Sequence, residues 1–123
     1  MKTNLTPQLE DRLINFAVLV INVVGQLPEN RIGAHLGGQL TRSATSPALN
    51  YGEARGAESP KDFVHKIGIV LKELRETYNC LRILSKTGAI AKNDPALLEC
   101  NELISIFVKS FRGSKNELLG EKS

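Results

Sequence analysis

Five polar side chains recur along one segment at alternating steps of four and three residues: Gln39, Ser43, Ser46, Asn50 and Glu53. On a helix, this spacing places them in one stripe, on the face that usually packs apolar side chains against a neighbouring helix. A polar group in such a place is costly unless a hydrogen-bond or charge partner reaches it. The segment therefore predicts a packed helix whose neighbours supply matching polar groups.

Helix start and stop signals divide the chain into four segments. A residue that can cap a helix is followed by proline at residues 6–7, 59–60 and 94–95, which is typical of a first helical turn. Apolar residues then recur at helical spacing. Stops are indicated by Pro28, by Gly52 and Gly56, by Thr87-Gly88 and by Gly113. The predicted helices run from residue 7 to 27, from about 30 to between 52 and 56, from 60 to 86 and from 95 to 112, with a loose tail from about 114.

The composition allows one small domain with an aliphatic core. The chain has 123 residues, of which 41% are hydrophobic and 5% aromatic, with no tryptophan. Packing of helix on helix fills a core readily with leucine, isoleucine, valine and alanine. Short connections favour antiparallel neighbours. We therefore predict an all-α fold, a single antiparallel up-down-up-down four-helix bundle over residues 1–123.

The first helix has more apolar surface than one bundle needs. Besides the stripe that faces the core, it carries a second apolar strip formed by Ile14, Val18 and Ile21. Exposed apolar patches of this kind usually mark interfaces, so the strip predicts a homo-oligomer. The alternative is that the strip is covered by the tail or by the loop around residues 33–38.

The third helix gathers positive charge on one side. At about 100° per residue, Lys61, Lys72, Arg75, Arg82 and Lys86 fall within an arc of roughly 80°. The whole chain has a formal net charge of +3 and a pI near 9.0. Such an arc can meet the phosphates of RNA or DNA, and without interleaved aromatic residues the binding would be directed at the backbone and sensitive to salt. The alternative is an ordinary solvated face.

On the other side of the same helix lie two carboxylates. Glu73 and Glu76 belong to a mixed strip, together with Ile69, Cys80 and Ile83, that is typical of the edge of an interface. Arg42 is a candidate partner because a guanidinium can donate two parallel hydrogen bonds to a carboxylate. Acid-base or metal chemistry at Glu53, Glu73 or Glu76 is the alternative. No nucleophile, ligand set or cofactor loop accompanies these residues, so structural pairing is favoured.

Metal or catalytic chemistry finds little support elsewhere. Cys80 and Cys100 lack the spacing of metal ligands, and Asp62 with His65 gives only one approximate copy of a di-iron motif. His35 and His65 are read as surface or boundary residues. We predict no catalytic residues, no metal and no cofactor.

The apolar runs are too short to span a bilayer. The longest, over residues 16–24, is interrupted by Asn22. The first residues do not resemble a signal peptide. These observations predict a cytoplasmic protein without membrane contact.

Two segments, residues 39–53 and Lys72-Glu73-Leu74-Arg75-Glu76-Thr77, resemble the bacterial four-helix-bundle family found in intervening sequences of 23S ribosomal RNA genes. The recurring polar residues of that family correspond here to Arg42, Ser43, Ser46, Asn50, Glu53, Glu73 and Glu76. Two positions depart from its pattern: Ala54 replaces a glycine, and Pro47 stands where isoleucine is commoner.

The resemblance implies a homopentamer arranged about a central opening. It extends to the accessory variability determinant of diversity-generating retroelements, which is basic and works with reverse transcriptase and nucleic acid. From these features we expect a non-enzymatic pentameric ring that binds RNA or DNA through the basic helix face. The alternative is a scaffold for a protein partner, with no contact to nucleic acid.

Overall fold

The computed structural model describes residues 7–120 and places them in four α-helices. These are α1 (Pro7–Gly25), α2 (Arg31–Arg55), α3 (Pro60–Lys86) and α4 (Pro95–Leu118). No strand occurs within residues 7–120, so the predicted all-α class is confirmed. The predicted cap at Thr6 lies outside the described residues.

The helices pack in chain order and close into a bundle. Helix α1 packs against α2, α2 against α3, α3 against α4, and α4 returns to α1. The connections, over residues 26–30, 56–59 and 87–94, are short enough to reverse the chain direction each time. This confirms the antiparallel up-down-up-down arrangement.

Three helices begin at side-chain caps. Asn30 Oδ1 accepts a hydrogen bond from the amide of Gly33 at 2.8 Å, and Ser59 Oγ accepts one from the amide of Asp62 at 3.0 Å. Asp94 Oδ1 does the same for Ala96 at 2.9 Å. Each cap satisfies an amide that has no partner within its own helix.

The core is aliphatic, with one aromatic contact at its centre. The rings of Tyr51 on α2 and Phe107 on α4 meet edge to face, with centroids 5.6 Å apart. Around them lie fully buried side chains from all four helices, among them Leu13, Leu40, Leu74 and Leu103. Burial of these side chains is the main driving force for assembling the bundle.

Helix α2 ends at Arg55 with Gly56 as its C-cap, within the predicted range, and Pro47 is buried within it. One predicted stop is wrong. Helix α4 passes Gly113 and continues to Leu118, so the chain is not loose from residue 114. A glycine inside a helix costs only about 1 kcal/mol relative to alanine, so it does not by itself end one.

The true end of α4 is marked by a different glycine. Gly120 has a φ of +74° and donates its amide to the carbonyl of Glu117 at 3.1 Å. A left-handed residue just past a helix is usually glycine, because it lacks a Cβ that would clash there.

Candidate nucleic-acid interface

The polar stripe of α2, formed by Gln39, Ser43, Ser46, Asn50 and Glu53 and here called the polar seam, borders α3, and Arg42 lies beside it. Arg42 donates from Nη1 to Glu73 Oε2 at 2.9 Å and from Nη2 to Glu76 Oε2. The side chain of Glu73 is only 14% exposed, whereas that of Arg42 is 52% exposed. The pairing expected from the sequence is therefore present, at the rim of the α2–α3 contact.

A buried hydroxyl pair lies beside this cluster. Thr77 Oγ1 is 2.8 Å from Ser43 Oγ and 2.8 Å from the carbonyl oxygen of Glu73. One hydroxyl proton serves one acceptor, so both contacts are satisfied when Ser43 donates to Thr77 and Thr77 donates to the carbonyl. Thr77 was not among the predicted polar residues, although it ends the segment that carries the family resemblance.

The seam continues towards the end of α2. Asn50 Nδ2 donates to Ser46 Oγ at 2.9 Å and to the Ser46 carbonyl at 3.0 Å. Glu53 Oε1 accepts from Lys66 Nζ at 2.6 Å, and this hydrogen bond raises the pKa of the Lys66 amine. The predicted polar residues thus hold α2 together or tie it to α3.

A further charge cluster joins α1 to α4 and was not predicted. Arg12 Nε donates to Glu99 Oε2 at 2.8 Å, and Nη2 donates to Glu99 Oε1 at 2.9 Å and to Glu102 Oε2 at 3.0 Å. The bond to Glu99 raises the pKa of the Arg12 guanidinium. The cluster binds two carboxylates near the start of α4 to one guanidinium.

The five predicted cations of α3 are all exposed. Lys61, Lys72, Arg75, Arg82 and Lys86 lie along its outer face. Within residues 7–120, none of them forms an ion pair with a carboxylate, in contrast to Arg12, Arg42, Arg55 and Lys66. From first to last they extend over about 37 Å, at about 1.5 Å per helical residue. Their charges are available to an external anion.

The arc borders α4, which adds positive charge to the same side. The Lys115 amine lies 5.7 Å above the ring centroid of Phe111, and that ring packs against Gly68 of α3. At the other end, Lys92 joins Arg82 and Lys86 around a pocket between the two helices. Lys92 and Lys115 lie outside α3, so the helical spacing of residues on that helix could not predict their contribution to the basic surface.

The apolar strip of α1 is open to solvent in the single chain. Ile14, Val18 and Ile21 are 47%, 51% and 45% exposed. Residues 33–38 belong to α2 rather than to the predicted loop, and neither they nor the described part of the tail buries the strip. The alternative that these segments cover it is therefore wrong for residues 7–120.

A second apolar surface lies between α2 and α3. Leu36, Cys80 and Ile83 line a shallow groove of about 470 Å³ beside the Arg42 cluster. Ile83 is 51% exposed. The groove and the strip of α1 are on different helices of one bundle.

Groups with catalytic potential are sparse in the described chain. No three histidine, cysteine or acidic side chains within residues 7–120 stand close enough to hold a metal ion. Burial raises the pKa of the Cys100 thiol to about 12, and its Sγ lies 3.3 Å from the Leu74 carbonyl oxygen. A thiol with so high a pKa is a poor nucleophile at neutral pH. No helix in this part of the chain has the length and apolar character needed to cross a membrane.

Fold and surface together define the class: a helical bundle with a polar α2–α3 seam and a basic outer face on α3. The chain belongs to the 23S rRNA-intervening sequence protein family, whose model matches residues 9–109. The predicted family is confirmed, whereas the likeness to the retroelement determinant stays a prediction.

A solved structure has the same fold. It is the 1.70 Å crystal structure of a protein with unknown function from the S23 ribosomal protein family of Bacteroides thetaiotaomicron VPI-5482. The two chains are 29% identical and superpose with a TM-score of 0.77, over 83% of this chain and 96% of the other. None of the curated proteins compared with the chain matches it.

Proposed function

We propose that this protein is a non-enzymatic, cytoplasmic homo-oligomer that binds the backbone of RNA or DNA through the basic face of α3. The observation that carries the proposal is the contrast in pairing among its cations. Side chains at helix contacts, such as Arg12 and Arg42, are bonded to carboxylates, whereas the five of the α3 arc have no carboxylate partner within residues 7–120.

Unpaired charges along one helix repel each other, and an external polyanion relieves that repulsion. The arc is about 37 Å long by its helical rise. One strand of a duplex places a phosphate every 3.4 Å along the axis, so an arc of this length faces several phosphates. Lys92 and Lys115 widen the positive surface across the α3–α4 contact.

The oligomer would place several such arcs on one particle. The strip of Ile14, Val18 and Ile21 is exposed and apolar. The groove lined by Leu36, Cys80 and Ile83 lies on different helices and exposes Ile83. A contact between two different patches of neighbouring subunits is heterologous. It closes into a ring when the rotation from one subunit to the next is a whole fraction of a full turn. A homopentamer is the ring that the family resemblance implies, and repeated arcs would strengthen binding through multivalency.

A scaffold for a protein partner is the second candidate. The same apolar groove beside the Arg42 cluster supports it, since an amphipathic helix of another polypeptide binds such a surface through its apolar face. In that case binding persists at high salt, because burial of apolar surface is insensitive to screening.

The test is fluorescence anisotropy of labelled structured RNA and DNA at low ionic strength. Arg75→Glu is compared with Arg31→Glu, which makes the same change of charge at an exposed site outside the arc. We expect Arg75→Glu to weaken binding strongly and Arg31→Glu to change it little. Equal effects of the two variants, or no binding of the unaltered chain, would refute the proposal.

A further inference from the structure

The basic face of α3 ends in a pocket rather than on a flat surface. The pocket lies between the last turns of α3, the loop at residues 87–94 and the first turns of α4, and its volume is about 320 Å³. That volume is at the lower end of the range for small-ligand sites. Its lining residues are Tyr78, Arg82, Ser85, Lys86, Lys92, Leu97, Leu98 and Asn101.

The lining is suited to an anion. Among the described residues, it contains three cations, Arg82, Lys86 and Lys92, and no carboxylate. The nearby acidic residues of α4, Glu99 and Glu102, are bonded to Arg12 on the α1 side of that helix. The positive charge of the pocket is therefore not compensated by its own walls.

The lining also offers an aromatic face and neutral hydrogen-bonding groups. The Arg82 guanidinium carbon lies 6.0 Å from the ring centroid of Tyr78. Guanidinium planes and tyrosine rings are the surfaces on which unstacked bases pack in complexes with single strands. Leu98, which is 59% exposed, adds apolar area, and Ser85 and Asn101 add polar groups that can reach a base edge.

We infer that this pocket holds one unpaired nucleotide of the bound strand. Its phosphate lies between Lys86 and Lys92, and its base packs against Tyr78 and Leu98. This inference rests on the proposed function and adds a preference to it. The arc alone contacts the phosphate backbone, whereas the pocket favours strands that have an unpaired nucleotide.

The preference is measured with two RNA duplexes of equal phosphate number, each annealed from two separate strands, one blunt and one with an unpaired 3′ overhang. We expect the overhang to tighten binding by roughly 5- to 100-fold, which corresponds to stacking one base. Tyr78→Leu should abolish this difference and Tyr78→Phe should retain it. Lys61→Ala, at the far end of the arc, should weaken both RNAs by the same factor. Equal binding of the two RNAs, or a preference that survives Tyr78→Leu, would overturn the inference.

A second measurement separates the pocket from the proposed function. The full chain, labelled with ¹⁵N, is titrated with 5′-AMP, and its amide spectrum is compared with that of Lys92→Glu. Saturable shifts around residues 78–92 that Lys92→Glu removes support the pocket, even if neither duplex binds and the proposed function fails. Absence of these shifts overturns the pocket, even if both duplexes bind through the arc.

Discussion

Thr77 Oγ1 lies 2.8 Å from Ser43 Oγ, and both side chains are fully buried between α3 and α2. This contact explains how a polar side chain of α2 packs in the core: the Ser43 hydroxyl lies opposite the Thr77 hydroxyl of α3. A buried polar group that keeps its partner costs little, and one that loses it costs its full desolvation.

Removal of one hydroxyl should therefore cost more than removal of both. We expect Thr77→Val to lower the free energy of unfolding by about 1–3 kcal/mol, because Ser43 loses its acceptor. Adding Ser43→Ala should cost less than the sum of the two single changes. Urea unfolding followed by circular dichroism measures this coupling.

Thr45→Ala is the matched control. The Thr45 hydroxyl bonds only to carbonyls of its own helix, at 2.7 Å and 3.2 Å, so its removal should not destabilise the bundle. If the losses of unfolding free energy for Thr77→Val and Ser43→Ala simply add in the double variant, the hydrogen bond between the two hydroxyls is contradicted.

The Arg42 cluster should contribute more to stability than an exposed ion pair. Arg42→Met leaves Glu73 without its partner while its side chain is only 14% exposed, so we expect a loss of about 1–3 kcal/mol in the free energy of unfolding. Lys66→Met breaks a pair whose Glu53 partner is 58% exposed, and should cost less than Arg42→Met because solvent screens an exposed ion pair. Thermal unfolding of the two variants checks the order, and a smaller loss for Arg42→Met would contradict it.

Two glycines of α2 should respond to alanine with opposite signs. A Cβ on Gly33 would lie 1.9 Å from the carbonyl oxygen of Pro28, so Gly33→Ala forces the α1–α2 turn apart and should destabilise by about 1–3 kcal/mol. A Cβ on Gly38 meets nothing within 4 Å, and Gly38→Ala should stabilise by up to about 1 kcal/mol. Urea midpoints of the two variants measure the difference, and a shift in the same direction for both would be the contrary result.

The apolar strip of α1 should govern assembly. We expect size exclusion with light scattering to give a pentamer for the unaltered chain, and a smaller species for Val18→Lys because a lysine in the contact must be desolvated. Leu49→Lys is the control, since Leu49 is 67% exposed on α2 and lies outside the strip and the groove. Helicity should be unchanged in both variants. A monomer for the unaltered chain would rule out the ring.

Local sequence patterns predicted much of the fold. The Ser59-Pro60 and Asp94-Pro95 pairs start α3 and α4 as predicted, because proline suits the first helical position, where no amide proton is needed. Gly56 marked the end of α2 correctly, whereas Gly113 predicted too early an end for α4, because one helical glycine costs only about 1 kcal/mol and does not by itself end a helix. Arg42 pairs with Glu73 and Glu76 as predicted, because a guanidinium can donate hydrogen bonds to carboxylate oxygens in parallel.

The rest of the site depends on tertiary geometry. Lys92 belongs to a loop, and only the docking of α4 against α3 brings it to Arg82 and Lys86. The bonding of Arg12 to Glu99 joins residues 87 positions apart, which no helical periodicity relates. The pocket was therefore not predictable from spacing on any one helix.

The salt dependence of RNA binding tests the central claim most directly. Each phosphate contact contributes a slope of about −0.7 to −0.9 to the logarithm of affinity against the logarithm of salt concentration. We predict that the Arg75→Glu, Arg82→Glu double variant loses at least two contacts, so its slope becomes shallower by about 1.4 or more. An unchanged slope in this variant, or no association of the unaltered chain at low salt, would contradict the account.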